Sequence, residues 1–190
     1  MKKLRSEKGM SLAETLVTIA IFSIILVAVT SGSTAAYRVY KQVSEKADAE
    51  TLLSTSILAV SEDLYNATEV TVSDTSDTAG FKPVESFYNE ALNYNESFSN
   101  KQQNSGKSVI MHTYTSVDPD DTAQPITQQV VADKTQSQNL YAVILTNNHV
   151  LDFWYDESSK CFKFTIAVYS TKNPDKIIAQ QTAYAHALAE

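Results

Sequence analysis

Few side chains in this chain of 190 residues have types and spacings that could do chemistry, and one of them is an acid in an unexpected place. Glu14 lies within the apolar run Leu12 to Val29, three residues after Ser11. An ionised carboxylate at the centre of a bilayer costs about 2.5 to 3.5 kcal/mol on insertion scales, so the acid needs a reason. The Ser-x-x-Glu spacing supplies a local one. In a capping box each of the two side chains satisfies a free backbone N–H at a helix start. A long apolar run also tolerates one polar residue near its end. The remaining explanation is a positive partner supplied by another molecule.

The other candidates are weaker. The histidines are His112, His149 and His186, with no H-E-x-x-H, G-x-S-x-G, C-x-x-C or glycine-rich phosphate loop around them, which argues against an enzyme. His149, near Asp152, falls in a strand pattern and reads as a surface or satisfied residue. In "VDPDD", Asp118, Asp120 and Asp121 could offer oxygen ligands to a hard cation. A solvated turn explains them as well, so no metal site is assigned and no cofactor is implied. Cys161 is the single cysteine, which rules out an intrachain disulfide and reads as a small buried side chain.

Charge is distributed unevenly. Lys2, Lys3, Arg5 and Lys8 against Glu7 make the first nine residues +3, so the formal total of −7 leaves −10 for everything after Gly9. By the positive-inside rule the basic end stays in the cytoplasm and the acidic bulk lies outside. An acidic exterior disfavours general nucleic-acid binding. A secretory signal has an apolar stretch of about 7 to 15 residues followed by a small-residue cleavage site. Leu12 to Val29 is longer than that, although "SGSTAA" (31–36) offers a site after the run. Gly9–Met10 is the candidate site before it.

Lys8, Gly9, Met10 and Glu14, followed by "TLVTIAIFSIILVAV", resemble the class III signal of type IV prepilins and type II secretion pseudopilins. The resemblance covers about the first thirty residues closely and the rest in layout. It implies a bacterial structural subunit, not an enzyme. A prepilin peptidase would cut after Gly9 and the new terminus, Met10, would be methylated, although family members usually have Phe there. Glu14, then fifth in the chain, would pair with the N-terminal amine of an adjacent subunit. Breaking such a buried pair costs about 3 to 5 kcal/mol. The implied partners are the peptidase, other pilin or pseudopilin subunits, the membrane assembly platform and the lipid bilayer. The implied location is the cytoplasmic membrane as a single pass, then a periplasmic or extracellular filament. "ILAVSEDLYNATEV" is similar to J-type pseudopilins and W-type minor pilins, pointing to a minor subunit. Two alternatives stand beside this reading: a single-pass protein whose head binds a ligand outside any filament, and a Sec-secreted enzyme.

The elements that must position these residues follow from periodicity. A helix is predicted from Met10 to about Asn66, roughly 85 Å at about 1.5 Å per residue, with Gly32 a point where it could bend. Leu53, Ile57, Val60 and Leu64 recur at helical spacing, with Val39 and Val43 on a similar stripe. "TEVTVSDTSDTAG" reads as a short strand and then a loop. "PVESFYNEALNYNESF" places Phe87, Ala91, Tyr94 and Phe98 near helical spacing and predicts a short amphipathic helix; 100–107 reads as a polar loop. "SVIMHTYTSV", "NLYAVILT", "HVLDFWYD", "CFKFTIAVYS" and "KIIAQQTAYA" read as strands joined by turns into an antiparallel meander. In the fourth, Phe162, Phe164, Ile166 and Val168 share one face, which can cover the helix stripe. The fold expected is α+β and pilin-like. Its divisions are a leader (1–9), a transmembrane or filament-core helix (10–31), an amphipathic outer half (32–66) and a globular head with an antiparallel sheet (67–190).

Overall fold

The computed structural model describes residues 11–74, 80–90, 92–102, 108–117, 124–131, 139–147 and 150–187. Among the described residues a single helix, α1 (Leu12–Tyr65), is followed by eleven strands. Chain contacts divide the molecule into two units, Met1–Glu45 and Lys46–Glu190.

In the first unit α1 contains no proline, and it stays helical through Gly32. A Cβ added at Gly32 would meet nothing within 4 Å, so packing does not require glycine there. The hydroxyls in this apolar stretch bond back to carbonyls one turn earlier, as Thr18 does to Glu14 (2.7 Å) and Ser23 to Ile19 (2.7 Å). Back-bonding of this kind lets Ser and Thr sit in an apolar helix without a stranded polar group. The large apolar side chains here, among them Leu16, Ile19, Phe22 and Ile25, are exposed. Val39 and Val43, on the similar stripe, are exposed too.

In the second unit the helical periodicity is realised as burial. Leu53, Val60 and Leu64 are buried and Ile57 is partly buried against the same core, joined by Ala49, Leu52 and Ser56. Ser56 is tolerated on this face because its hydroxyl donates to the Leu52 carbonyl at 2.8 Å.

The strands are β1 (Ala67–Val72), β2 (Lys82–Asn89), β3 (Tyr94–Gln102), β4 (Ser108–Ser116), β5 (Ile126–Gln129), β6 (Leu140–Ile144), β7 (Thr146–Asn147), β8 (Val150–Leu151), β9 (Phe153–Asp156), β10 (Cys161–Ser170) and β11 (Asn173–His186). Nine form one sheet in the order β11-β10-β9-β2-β3-β4-β5, with β1 also on β2 and β6 also on β10; β7 and β8 make a separate two-stranded ribbon. The pairings within the sheet are antiparallel. This is the α+β, pilin-like architecture expected.

Three local expectations are corrected. The helix predicted through 83–98 is instead the hairpin β2–β3. Burial there alternates with period two, and the chain reverses at Asn93, whose φ of 58° is a left-handed conformation that Asn adopts more easily than most residues. Asn89 braces that turn: its side-chain oxygen accepts from Leu92 N–H (3.3 Å) and its carbonyl from Asn93 N–H (2.8 Å). The polar stretch from Asn100 does not begin as a loop, because β3 runs on to Gln102. The Asn100 amide reaches across to β6, donating to Ile144 C=O (2.6 Å) and accepting from Ile144 N–H (3.1 Å).

The sheet is also not one meander. β2–β3–β4–β5 and β9–β10–β11 are each locally connected, but they are joined by β9 lying beside β2, through Lys82 with Tyr155 and Pro83 with Trp154. The ten-residue β10 outruns β9 and takes β6 as a second neighbour along its far end. "HVLDFWYD" breaks between β8 and β9 at Asp152, whose carboxylate accepts from the Trp154 indole N–H.

The core lies between the inner face of the sheet and the Ala49–Leu64 face of α1. Phe162, Phe164, Ile166 and Val168 are all fully buried, as their alternation predicts. Phe153 stacks on Phe162 at 5.8 Å and meets Phe98 edge-on at 5.5 Å, extending the apolar floor from β10 to β3.

Candidate functional site

Residues 1–10 lie outside the described residues, and with them Lys2, Lys3, Arg5, Lys8, Gly9 and Met10. Ser11 N–H donates to Glu14 Oε2 at 3.0 Å, and Glu14 N–H donates to Ser11 Oγ at 3.3 Å. This reciprocal pair is a capping box, and an acid in the first turn also meets the positive end of the helix dipole. The Ser11 N–H belongs to the Met10–Ser11 peptide, so a cut between Gly9 and Met10 would leave the box intact. Glu14 Oε1 receives no bond from the box, and the side chain is exposed.

Behind the cap α1 is long and apolar enough to cross a membrane, with a mean hydropathy of 2.5 over its most apolar eighteen residues and none of that window buried within the chain. Asp118, Asp120 and Asp121 lie outside the described residues, as does His149. Among the described residues no group of three or more His, Cys, Asp or Glu is arranged to hold a metal ion. Cys161 is buried, and burial raises its thiol pKa above the ordinary value.

The structure assembles one ionic cluster that the sequence reading did not single out. His112, on β4, is 2 % exposed; its Nδ1 lies 3.0 Å from Asp63 Oδ2 in the last turn of α1, and its Nε2 lies 2.9 Å from Glu96 Oε2 on β3. The Glu96 contact has ion-pair distance but is off line for a hydrogen bond, and Glu96 Oε1 is buried with no hydrogen-bond partner. The ring packs against Phe98 (4.5 Å) and Tyr114 (4.3 Å). Burial by itself pulls the imidazole pKa down, but the hydrogen bond to Asp63 and the close negative charges of Asp63 and Glu96 outweigh it and raise the value from 6.5 to about 9.

A signal for this cluster exists in the sequence. His112 alternates with Ile110 and Tyr114 on an otherwise apolar strand face, and Glu96 precedes the core residue Phe98 by two. Reading 83–98 as a helix hid the second half of it, because inward alternation is visible only on a strand.

Residues 4–30 match the family described as the prokaryotic N-terminal methylation motif. The chain carries a class III signal peptide. The match spans Arg5, Lys8, Gly9, Met10, the capping box and most of the exposed apolar stretch, and it supports a type IV pilin or pseudopilin. Such a signal implies processing by a prepilin peptidase and assembly with other pilin subunits, and proteins that bear it are structural subunits. No curated protein and no solved structure matches the chain.

Proposed function

We propose that this chain is a minor pilin or pseudopilin, anchored in the cytoplasmic membrane by the amino-terminal part of α1 and assembled into a type IV pilus or a type II secretion-like filament. The observation that carries the reading is the methylation motif at residues 4–30 in the same chain as a helix whose most apolar eighteen residues are unburied and a helix-backed antiparallel head. An apolar stretch with no cover in its own chain needs lipid before assembly and neighbouring helices after it.

In this reading residues 1–9 are a leader, removed after Gly9, and Met10 is the mature and methylated terminus. The charge of Lys2, Lys3, Arg5 and Lys8 holds the leader on the cytoplasmic side, and the acidic head lies outside. Glu14 acts in assembly: its exposed carboxylate sits four residues from the new amine, close enough to the helix start to meet the amine of a neighbour. The role is structural, not catalytic, and the partners are the prepilin peptidase, the assembly platform and other subunits. The segment "ILAVSEDLYNATEV" supports a J-type or W-type minor subunit.

The deciding experiment is mass-spectrometric determination of the amino terminus of the protein purified from membranes of its native host. Met10, with or without one methyl group, is expected. A chain starting at Met1 would indicate an unprocessed anchor, and a start near Ala36 would indicate a Sec-secreted protein; either overturns the reading.

A further inference from the structure

We propose that Asp63, His112 and Glu96 form a proton-held latch, in which the doubly protonated imidazole fastens the last turn of α1 to β3 and β4 and loss of one proton frees the Asp63 arm. An imidazolium donates from both nitrogens, whereas a neutral imidazole has one N–H and one lone pair. Here both nitrogens face carboxylate oxygens, at 3.0 and 2.9 Å. A neutral ring would therefore set a lone pair against a carboxylate in a buried place, where such repulsion is poorly screened. The site is built for the cation.

The position of the carboxylates explains what the cation does. The last turn of α1 has no basic residue and contains Glu62 and Asp63, both unfavourable beside the negative end of a helix dipole. His112 supplies the missing positive charge from a neighbouring strand. The two arms differ in their access to water. The Glu96 side chain is fully buried, whereas that of Asp63 is 30 % exposed. When the ring loses a proton, the fully buried Glu96 has nowhere to turn and takes the remaining N–H at Nε2, and Asp63, left against the lone pair of Nδ1, rotates into solvent. Release is thus directional, opening the α1 side.

The surroundings leave His112 as the responding group. It faces Asp63 from α1, Glu96 and Phe98 from β3, Phe87 from β2 and Tyr114 from its own strand. Its backbone partner on β5 is the uncharged Gln128. The Tyr114 phenol is raised above its ordinary 10 by burial and by the charges of Asp63 and Glu96, so it stays neutral while the imidazole titrates. The raised His112 value of about 9 is the expected signature of such a site.

The test uses the full chain in detergent micelles, with spin labels on cysteines replacing the exposed Tyr65 and Asn95 and with Cys161→Ala as background. Histidine-selective NMR should show His112 titrating near 9, and the label-to-label distance should lengthen across that titration while far-UV circular dichroism persists. In Asp63→Asn the amide can accept from an N–H or donate to a lone pair, so the distance should stay unchanged from pH 7 to pH 10. A His112 midpoint near 6.5, a distance that ignores the titration, lengthening that persists in Asp63→Asn, or collapse of the whole head at pH 10 would each overturn the latch.

Discussion

His112 Nδ1 stands 3.0 Å from Asp63 Oδ2, and this contact joins the last turn of α1 to a strand nearly fifty residues further along the chain. A titratable group placed this way makes folding itself proton-dependent. The folded pKa is raised above the unfolded value, so the stabilisation is complete below about pH 6.5 and is lost as pH rises toward 9. Urea denaturation of the chain in a Cys161→Ala background between pH 6.5 and 8.5, below the range where the tyrosines ionise, should show stability falling by up to about 1.4 kcal/mol per pH unit. His112→Gln should flatten that slope. A flat profile with His112 in place would mean that the ring is not held as the cation.

Phe164 is fully buried on β10 and meets Phe153 edge-on at 6.4 Å. Removing its ring leaves a cavity that the stiff strand cannot close. Phe164→Ala should destabilise the head by about 3 to 5 kcal/mol, measured as a drop in the denaturant midpoint. A shift below about 1 kcal/mol would show that the core tolerates the gap.

Gly9 bears on processing. With no side chain it lets a peptidase approach the backbone closely, and a branched residue obstructs that approach. Gly9→Val should leave the full-length chain in the membrane, seen as a slower band on immunoblots. Normal maturation of this variant would move the cut elsewhere.

Glu14 has a local and an intermolecular role to separate. Gln can occupy the same capping-box position, so Glu14→Gln should preserve the bond to Ser11 N–H and leave processing normal. It removes the charge, however, and would strand the amine of Met10 on a neighbour, a loss of about 3 to 5 kcal/mol for a buried pair. The comparison is between processed protein in membranes and protein recovered in sheared filaments. Normal recovery in filaments would leave the cap as the whole explanation for this acid.

What could be read from the sequence alone was local. The Ser11–Glu14 box needs only a spacing of three. The stripe Leu53, Ile57, Val60 and Leu64 needs only the period of a helix, and the inward face of β10 needs only alternation, because each depends on the geometry of its own segment. The motif at 4–30 is likewise contiguous. The hairpin at Asn89–Asn93 failed because Phe87, Tyr94 and Phe98 fit helical spacing as well as they fit two strands, and only the turn chemistry separates those readings. The tertiary structure decided the rest. β9 lies beside β2, Asn100 bonds to Ile144, and His112 sits between Asp63 and Glu96; each joins segments distant in the chain. No local pattern encodes such contacts, since they arise when separate apolar faces are buried together and the polar groups carried along must find partners inside.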